Sequence, residues 1–177
     1  MIKQFIKGKV YVFIDAANIF YTQRTLHWKI SYEKLKQYFK EECEENLGRI
    51  FVYTATDSER QQQKKFLDML DINKYTVRTK EVKRIRVAKG VYEWKGDFDV
   101  ELTMDVMDNI KEFDTAILLS GDSDFAPVVN RMKKNNKKVI IMSAKSHVSR
   151  ELIQVSDKYI NLKKLRDKIE LKQKSPR

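Results

Sequence analysis

The sequence predicts an α/β domain built on a mostly parallel sheet, and three observations carry that prediction. Residues 10–14, 49–53, 115–119 and 139–142 are short, largely apolar runs with little alternation, as expected of strands buried on both faces. Stretches of helical periodicity separate them. Two of the runs end in small residues beside carboxylates, Asp15-Ala16-Ala17-Asn18 and Ser120-Gly121-Asp122-Ser123-Asp124. Such strand exits are where open α/β folds place ligands.

The elements follow in order. Residues 10–14 form the first strand. Ser31 is positioned to cap a helix reaching about residue 45. On it Leu35, Phe39 and Cys43 recur at i, i+4 and i+8, a core-facing stripe that makes Cys43 a packing residue rather than a nucleophile. Residues 49–53 form the second strand. Asp57 or Ser58 can cap a helix over 59–73, with Phe66, Leu67 and Leu70 on its apolar side. Residues 75–87 read as a third strand that extends into a hairpin toward Tyr92 and Trp94. Lys95-Gly96-Asp97-Phe98-Asp99 breaks this pattern and starts a helix to about residue 112. Its expected apolar face is Val100, Met104 and Met107, flanked by Leu102, Val106 and Ile110. Residues 115–119 form the fourth strand, followed by a helix to about 135 and a fifth strand at 139–142. A short helix at 149–155 and a short strand at 159–162 close the domain. Residues 163–177 are expected to be a helix fraying into a charged tail. The domain is placed at 1–165 and a basic tail at 166–177.

At 177 residues the chain is expected to be one domain. No apolar run approaches the ~20 residues of a membrane span, and the first residues are too short and mixed for a signal peptide. One cysteine excludes an internal disulfide and agrees with a reducing cytoplasm, the expected location. Thirty-six Lys and Arg against 25 Asp and Glu give a net charge of +11. That charge points to a polyanionic partner, nucleic acid first. The alternative is a charge that serves solubility alone.

The acids are then unusual in their placement. Asp15 ends the first strand, Asp122 and Asp124 follow the fourth, and Asp97 and Asp99 open the helix that carries Asp105. Two unit charges ~5 Å apart cost ~3 kcal/mol at an effective dielectric of ~20, so such a cluster needs a cation or protons. An oxygen-only ligand set suits Mg²⁺ or Mn²⁺. Asn18 and Ser120 can hold a phosphate oxygen or a water. Taken singly, each acid can instead cap a helix, with Asn18 a better cap than Asp15, and Asp105 with Glu101 and Asp108 can form a solvated stripe. His27 and His147 are the only histidines and are far apart, which disfavours zinc. There is no phosphate-binding glycine loop and no G-x-S-x-G elbow. Ala17 stands where a phosphatase reading of Asp15 would need a second acid.

In this order, residues 12–18, 95–105 and 119–125 resemble the NYN domains of the PIN-like nuclease superfamily, most closely their bacterial LabA-like members. Residues 149–152 and 157–160 resemble the family's closing helix and strand. The resemblance spans about 8–165. It implies a PIN-like three-layer α/β/α sandwich and a Mg²⁺- or Mn²⁺-dependent nuclease site acting on RNA. Carried over by position, Asp15, Asp99, Asp122 and Asp124 are the metal-site acids, with Asn18 beside them in the catalytic set. Ser120 and Asp105 are supporting positions. Relatives often have Lys-Gly, one residue, then Asp; here the spacing is one residue longer. Asp99 keeps the six-residue distance to Asp105 and takes the family position, leaving Asp97 to cap the helix or compete for the metal.

Between Lys74 and Lys95 lie eight basic residues against Glu81 and Glu93, with Tyr75, Tyr92 and Trp94 interspersed. Basic residues track phosphates and aromatic faces stack unpaired bases. Lys80, Lys83, Arg84, Arg86, Lys89, Trp94 and Lys95 are therefore the candidate nucleic-acid contacts. The competing reading is an edge strand guarded by charge. The expected function is a metal-dependent endoribonuclease on single-stranded RNA, with no membrane partner. The alternative is a non-catalytic or weakly active nucleic-acid-binding regulatory module. Oligomeric state is left open, a homodimer included.

Overall fold

A computed structural model describes residues 2–56, 61–88 and 91–172. In chain order its strands and α-helices begin with β1 (Val10–Asp15), α1 (Ala16–Leu26), α2 (Tyr32–Cys43), β2 (Leu47–Thr56), α3 (Gln61–Ile72) and β3 (Thr76–Glu81). A hairpin of β4 (Lys83–Ala88) and β5 (Val91–Lys95) follows, then α4 (Asp99–Asp108) and β6 (Thr115–Leu119). The chain continues through α5 (Ala126–Lys134), β7 (Lys138–Ser143), α6 (Arg150–Val155), β8 (Lys158–Asn161) and α7 (Arg166–Ile169).

The six-stranded sheet has the order β3-β2-β1-β6-β7-β8, and every pairing in it is parallel. Side chains alternate between faces along a strand, and here both faces are covered. Val10, Val12 and Ile14 of β1 pack in one cluster with Ile19, Leu35, Phe39, Leu70 and Ile169 from α1, α2, α3 and α7. Tyr11 and Phe13 pack in the other with Leu102, Val106, Val129, Met132 and Leu152 from α4, α5 and α6. Double burial is why β1 and β6 read as unbroken apolar runs. Phe13 stacks on Phe51 at 5.3 Å with an interplanar angle of 6°, fixing β1 against β2 on the second face.

Four local expectations change. Helix α1, starting directly after β1, has no counterpart in the pattern reading, because only Ile19 and Thr22 of it are fully buried. Its cap is Asp15 rather than Asn18: the Asp15 carboxylate accepts from the Asn18 backbone N–H at 3.0 Å. The single strand expected over 75–87 divides. Strand β3 joins the main sheet, and β4 leaves it for an antiparallel pairing with β5. Helix α4 ends at Asp108 and is rotated from its expected face. Leu102 and Val106 are buried, whereas Val100 and Met104 are 70% and 58% exposed. The expected caps Asp57 and Ser58 lie outside the described residues.

Residues 166–171, expected in the tail, are packed into the domain. Leu165 and Ile169 are buried, the Ile169 carbonyl accepts from Ser31 N–H at 2.8 Å, and Leu171 N–H donates to Lys29 at 2.8 Å. The expected boundary at 165 thus cuts through a packed segment. Cys43 is buried, and burial pushes its thiol up to about 12, which suits a packing role. Among the described residues no helix is long and apolar enough to cross a membrane.

Ile169 is the deepest part of this closing segment. Ile169→Ala is expected to destabilise the protein by about 2–4 kcal/mol, read as a lower urea midpoint at unchanged slope. A change below about 0.5 kcal/mol would mean that α7 contributes no core packing.

Candidate metal centre

The site is built where two neighbouring parallel strands end together. Ile14 of β1 pairs with Leu119 of β6, so Asp15 and Ser120 leave the sheet side by side. The Ser120 hydroxyl donates to the Asp15 carboxylate at 3.1 Å. One turn into α1, the Asn18 side-chain carbonyl accepts from Gly121 N–H at 3.2 Å. These two bonds tie the exit of β1 to the exit of β6.

The loop after β6 is shaped by its own residues. Asp122 N–H donates to the Ser120 hydroxyl at 3.3 Å, and the Asp122 carboxylate caps a single 3₁₀ turn by accepting from Asp124 N–H at 3.0 Å. Gly121 is required by close approach. A side-chain Cβ there would lie 1.9 Å from the carbonyl oxygen of His147, and Ser149 N–H already donates to the Gly121 carbonyl at 2.9 Å. The loop after β7 therefore presses the acidic loop from behind.

Helix α4 supplies the remaining acid. It precedes β6 and runs back across the sheet, so its start returns to the edge where the strands end. Asp99, Asp122 and Asp124 each present a carboxylate oxygen, and these atoms lie within 4.8 Å of one another. Asp15 is not in that triad, but it is close enough for its charge to act on Asp99. Burial, followed by the charges of Asp122, Asp15, Asp97 and Asp124, pushes the Asp99 carboxyl up to about 6. Burial likewise raises Asp15 above the usual carboxylate range, against the lowering by its bonds from Asn18 and Ser120.

The register of the two α4 acids is thereby decided by geometry. Asp99 joins the triad, while Asp97 is mostly exposed and lies 4.0 Å from the Lys80 ammonium. Neither caps α4, whose Ncap position is Phe98 with no side-chain cap. Asp105 stands apart from the triad. Its carboxylate accepts from Arg78 at 2.8 and 3.1 Å and from the Tyr53 hydroxyl at 3.0 Å. Tyr53 and Arg78 are cross-strand partners on β2 and β3, so Asp105 fastens α4 onto that pair. Lys80 adds a second fastening through Glu101 at 2.7 Å and also lies over the Phe98 ring. Its ammonium, expected on nucleic acid, is engaged in holding α4. This clasp was not foreseen; the alternation placing Arg78 and Lys80 on one face of β3, opposite acids spaced four apart on α4, is the signal that could have found it.

Lys83, Arg84 and Arg86 lie on β4, and Trp94 and Lys95 on β5, with Arg84 paired to Trp94 and Lys83 to Lys95. Lys89 lies outside the described residues. The hairpin is inserted between the end of β3 and the start of α4, and so departs from the sheet edge that carries the acids.

A family model of the NYN domain matches residues 9–163. The chain belongs to the NYN domain family. The family lies within the PIN-like nuclease superfamily, and the acidic triad of this NYN protein is compatible with metal binding. Over 168 residues it is 29% identical to the low amplitude and bright protein LabA of Synechococcus elongatus, covering 94% of this chain and 90% of that one. It is also 31% identical over 86 residues to an uncharacterized protein of Methanocaldococcus jannaschii, covering 45% of this chain and 36% of the relative. Its fold is similar to the crystal structure of a protein of unknown function from Vibrio parahaemolyticus, with a TM-score of 0.78, 24% identity, and coverage of 93% and 97% of the two chains.

Two measurements check the site's geometry. The folded protein holds the Asp99 proton more tightly than an unfolded chain, whose Asp releases it near 3.8. At Asp99 the folded state therefore binds more proton between about pH 4 and 6, and this group's contribution to stability falls as pH rises through that window. In EDTA, Asp99→Asn is expected to stabilise the protein by about 1 kcal/mol at pH 8 and by nothing below pH 4, in urea titrations. Gly121→Ala is expected to cost about 2 kcal/mol or more, because the acidic loop and the 147–149 segment must separate; an unchanged melting curve would contradict that contact.

Proposed function

We propose that this chain is a divalent-metal-dependent endoribonuclease that hydrolyses single-stranded RNA. The observation that carries this reading is the convergence of Asp99, Asp122 and Asp124, from two separate segments, at one sheet edge of a chain with net charge +11. The donor set fits Mg²⁺ or Mn²⁺: it is all oxygen, and its Asp99 member is strained toward protonation when no cation is near. An ion held there supplies charge stabilisation at phosphorus and a more acidic water.

The protein's own residues do the rest. Asp99, Asp122 and Asp124 hold the ion, and Asp15 completes the acidic wall. Ser120 and Asn18 fix Asp15 and the acidic loop relative to one another, so the acids stay aimed without reorganising. Arg78, Lys80, Asp105 and Glu101 keep α4 seated, which holds Asp99 in reach. RNA phosphate contacts are assigned to Lys83, Arg84, Arg86, Lys89 and Lys95 by their charge, and base stacking to Trp94 by its aromatic ring.

The test uses end-labelled single-stranded RNA with Mn²⁺ or with EDTA. EDTA is expected to abolish cleavage, and Asp122→Asn to slow it at least 100-fold. Cleavage that survives either change would overturn the mechanism. Salt-sensitive RNA binding without cleavage at any metal concentration would favour the binding-module alternative.

A further inference from the structure

We propose a second ligand site in this protein, for the contiguous phosphates of a small polyphosphate-bearing molecule, at the edge of the sheet opposite the acids. The place is a cavity of about 390 Å³ where β2 and β3 begin, lined by Lys36, Lys40, Arg49 and Lys74, with Glu44 and Gly48. Its wall residue Leu47 pairs with Val10, the first residue of β1, whereas Asp15 is the last. At ~3.3 Å per residue a strand of that length separates the cavity from the acids by about 17 Å. A small ligand cannot touch both.

Four cations and one carboxylate line this cleft, and the carboxylate is already committed. Glu44 accepts from the Lys3 ammonium at 2.5 Å. Among the described residues, Lys40, Arg49 and Lys74 have no carboxylate partner. Lys36 donates instead to the backbone carbonyls of Asn73 and Lys74, at the end of α3. Burial, then the charges of Lys40 and Lys74, hold the Lys36 ammonium below its ordinary value. The cations thus crowd one another in a partly desolvated concavity. An anion between them removes that repulsion, and it gains charge-assisted bonds from three ammonium groups and a guanidinium fork. The volume lies at the lower end of small-molecule sites, too small for a folded partner and large enough for two or three linked phosphates.

Two sources offer this chemistry: free inorganic polyphosphate and the tail of a nucleoside triphosphate. The experiment is calorimetric titration of the full-length protein with inorganic triphosphate and, separately, with ATP, both in EDTA. Three variants are compared with the parent. Lys40→Gln/Lys74→Gln removes two of the four cations of the cleft and leaves Lys36 on the carbonyls of Asn73 and Lys74. Lys111→Gln/Lys164→Gln removes the same net charge from exposed positions elsewhere. Asp122→Asn alters only the acidic edge. Parent, surface control and Asp122→Asn are expected to bind triphosphate within twofold of one another, and the cleft variant at least tenfold more weakly. Tighter binding of ATP assigns the site to a nucleotide, and equal or weaker binding to the phosphates alone. No heat of binding by the parent, or an equal loss in the cleft variant and the surface control, would overturn the site. Because Asp122→Asn keeps binding, the outcome is independent of whether the acidic edge cleaves RNA.

Discussion

The structure depends on holding mutually repelling carboxylates together at one edge of a parallel sheet. At an effective dielectric of ~20, each pair of charges ~5 Å apart opposes the arrangement by ~3 kcal/mol. Within the triad of Asp99, Asp122 and Asp124 the bond from Asp124 N–H to the Asp122 carboxylate offsets only part of that repulsion. The rest of the opposing free energy comes from elsewhere: from two apolar layers that fix β1 beside β6, and from hydrogen bonds that leave each loop little freedom. The raised Asp99 carboxyl reflects burial first, and then this repulsion from Asp122, Asp15, Asp97 and Asp124. Such an arrangement is compatible with metal binding, because a cation between the carboxylates would relieve their repulsion.

The least secure member of the triad on topological grounds is Asp99, because it stands on a helix rather than at a strand end. The clasp of α4 onto β2 and β3 answers this. Asp105 accepts from both Tyr53 and Arg78, and Glu101 pairs with Lys80, so one helical face is fastened while Leu102 and Val106 are buried behind it. Exposed ion pairs contribute little singly. Here the Asp105 end is largely covered and its geometry is bidentate, which gives direction as well as attraction. Residues that look like substrate contacts by charge, Lys80 above all, are occupied in setting the helix that carries a site acid.

Much of this was legible in the sequence because strand burial leaves an unambiguous trace. The runs at 10–14 and 115–119 read as strands buried on both faces of a parallel sheet, and acids at their ends share an edge on condition that those strands are neighbours, which the β1–β6 pairing supplies. Asp99 against Asp97 was legible only through a spacing shared with relatives. What escaped the reading were features made by contact across the chain. Helix α1 buries too narrow a face to show a period. The clasp of Arg78 on Asp105 joins residues from β3 and α4, and the Gly121–His147 approach joins two loops, with no local signature in either. Helix α4 turned Leu102 and Val106 inward instead of Val100 and Met104, because its acids had to face β3. Ile169 lies in a stretch whose charge pattern predicts a tail, yet it is core because the segment after β8 folds back across α2.

The central claim is that the three converging carboxylates are a cation site. The most direct measurement is a crystal soaked in Mn²⁺ near pH 8, with anomalous scattering used to locate the metal. The account predicts a peak bounded by oxygens of Asp99, Asp122 and Asp124, and its loss in Asp99→Asn/Asp122→Asn. A peak elsewhere, or none at millimolar Mn²⁺ with the triad intact, would contradict it.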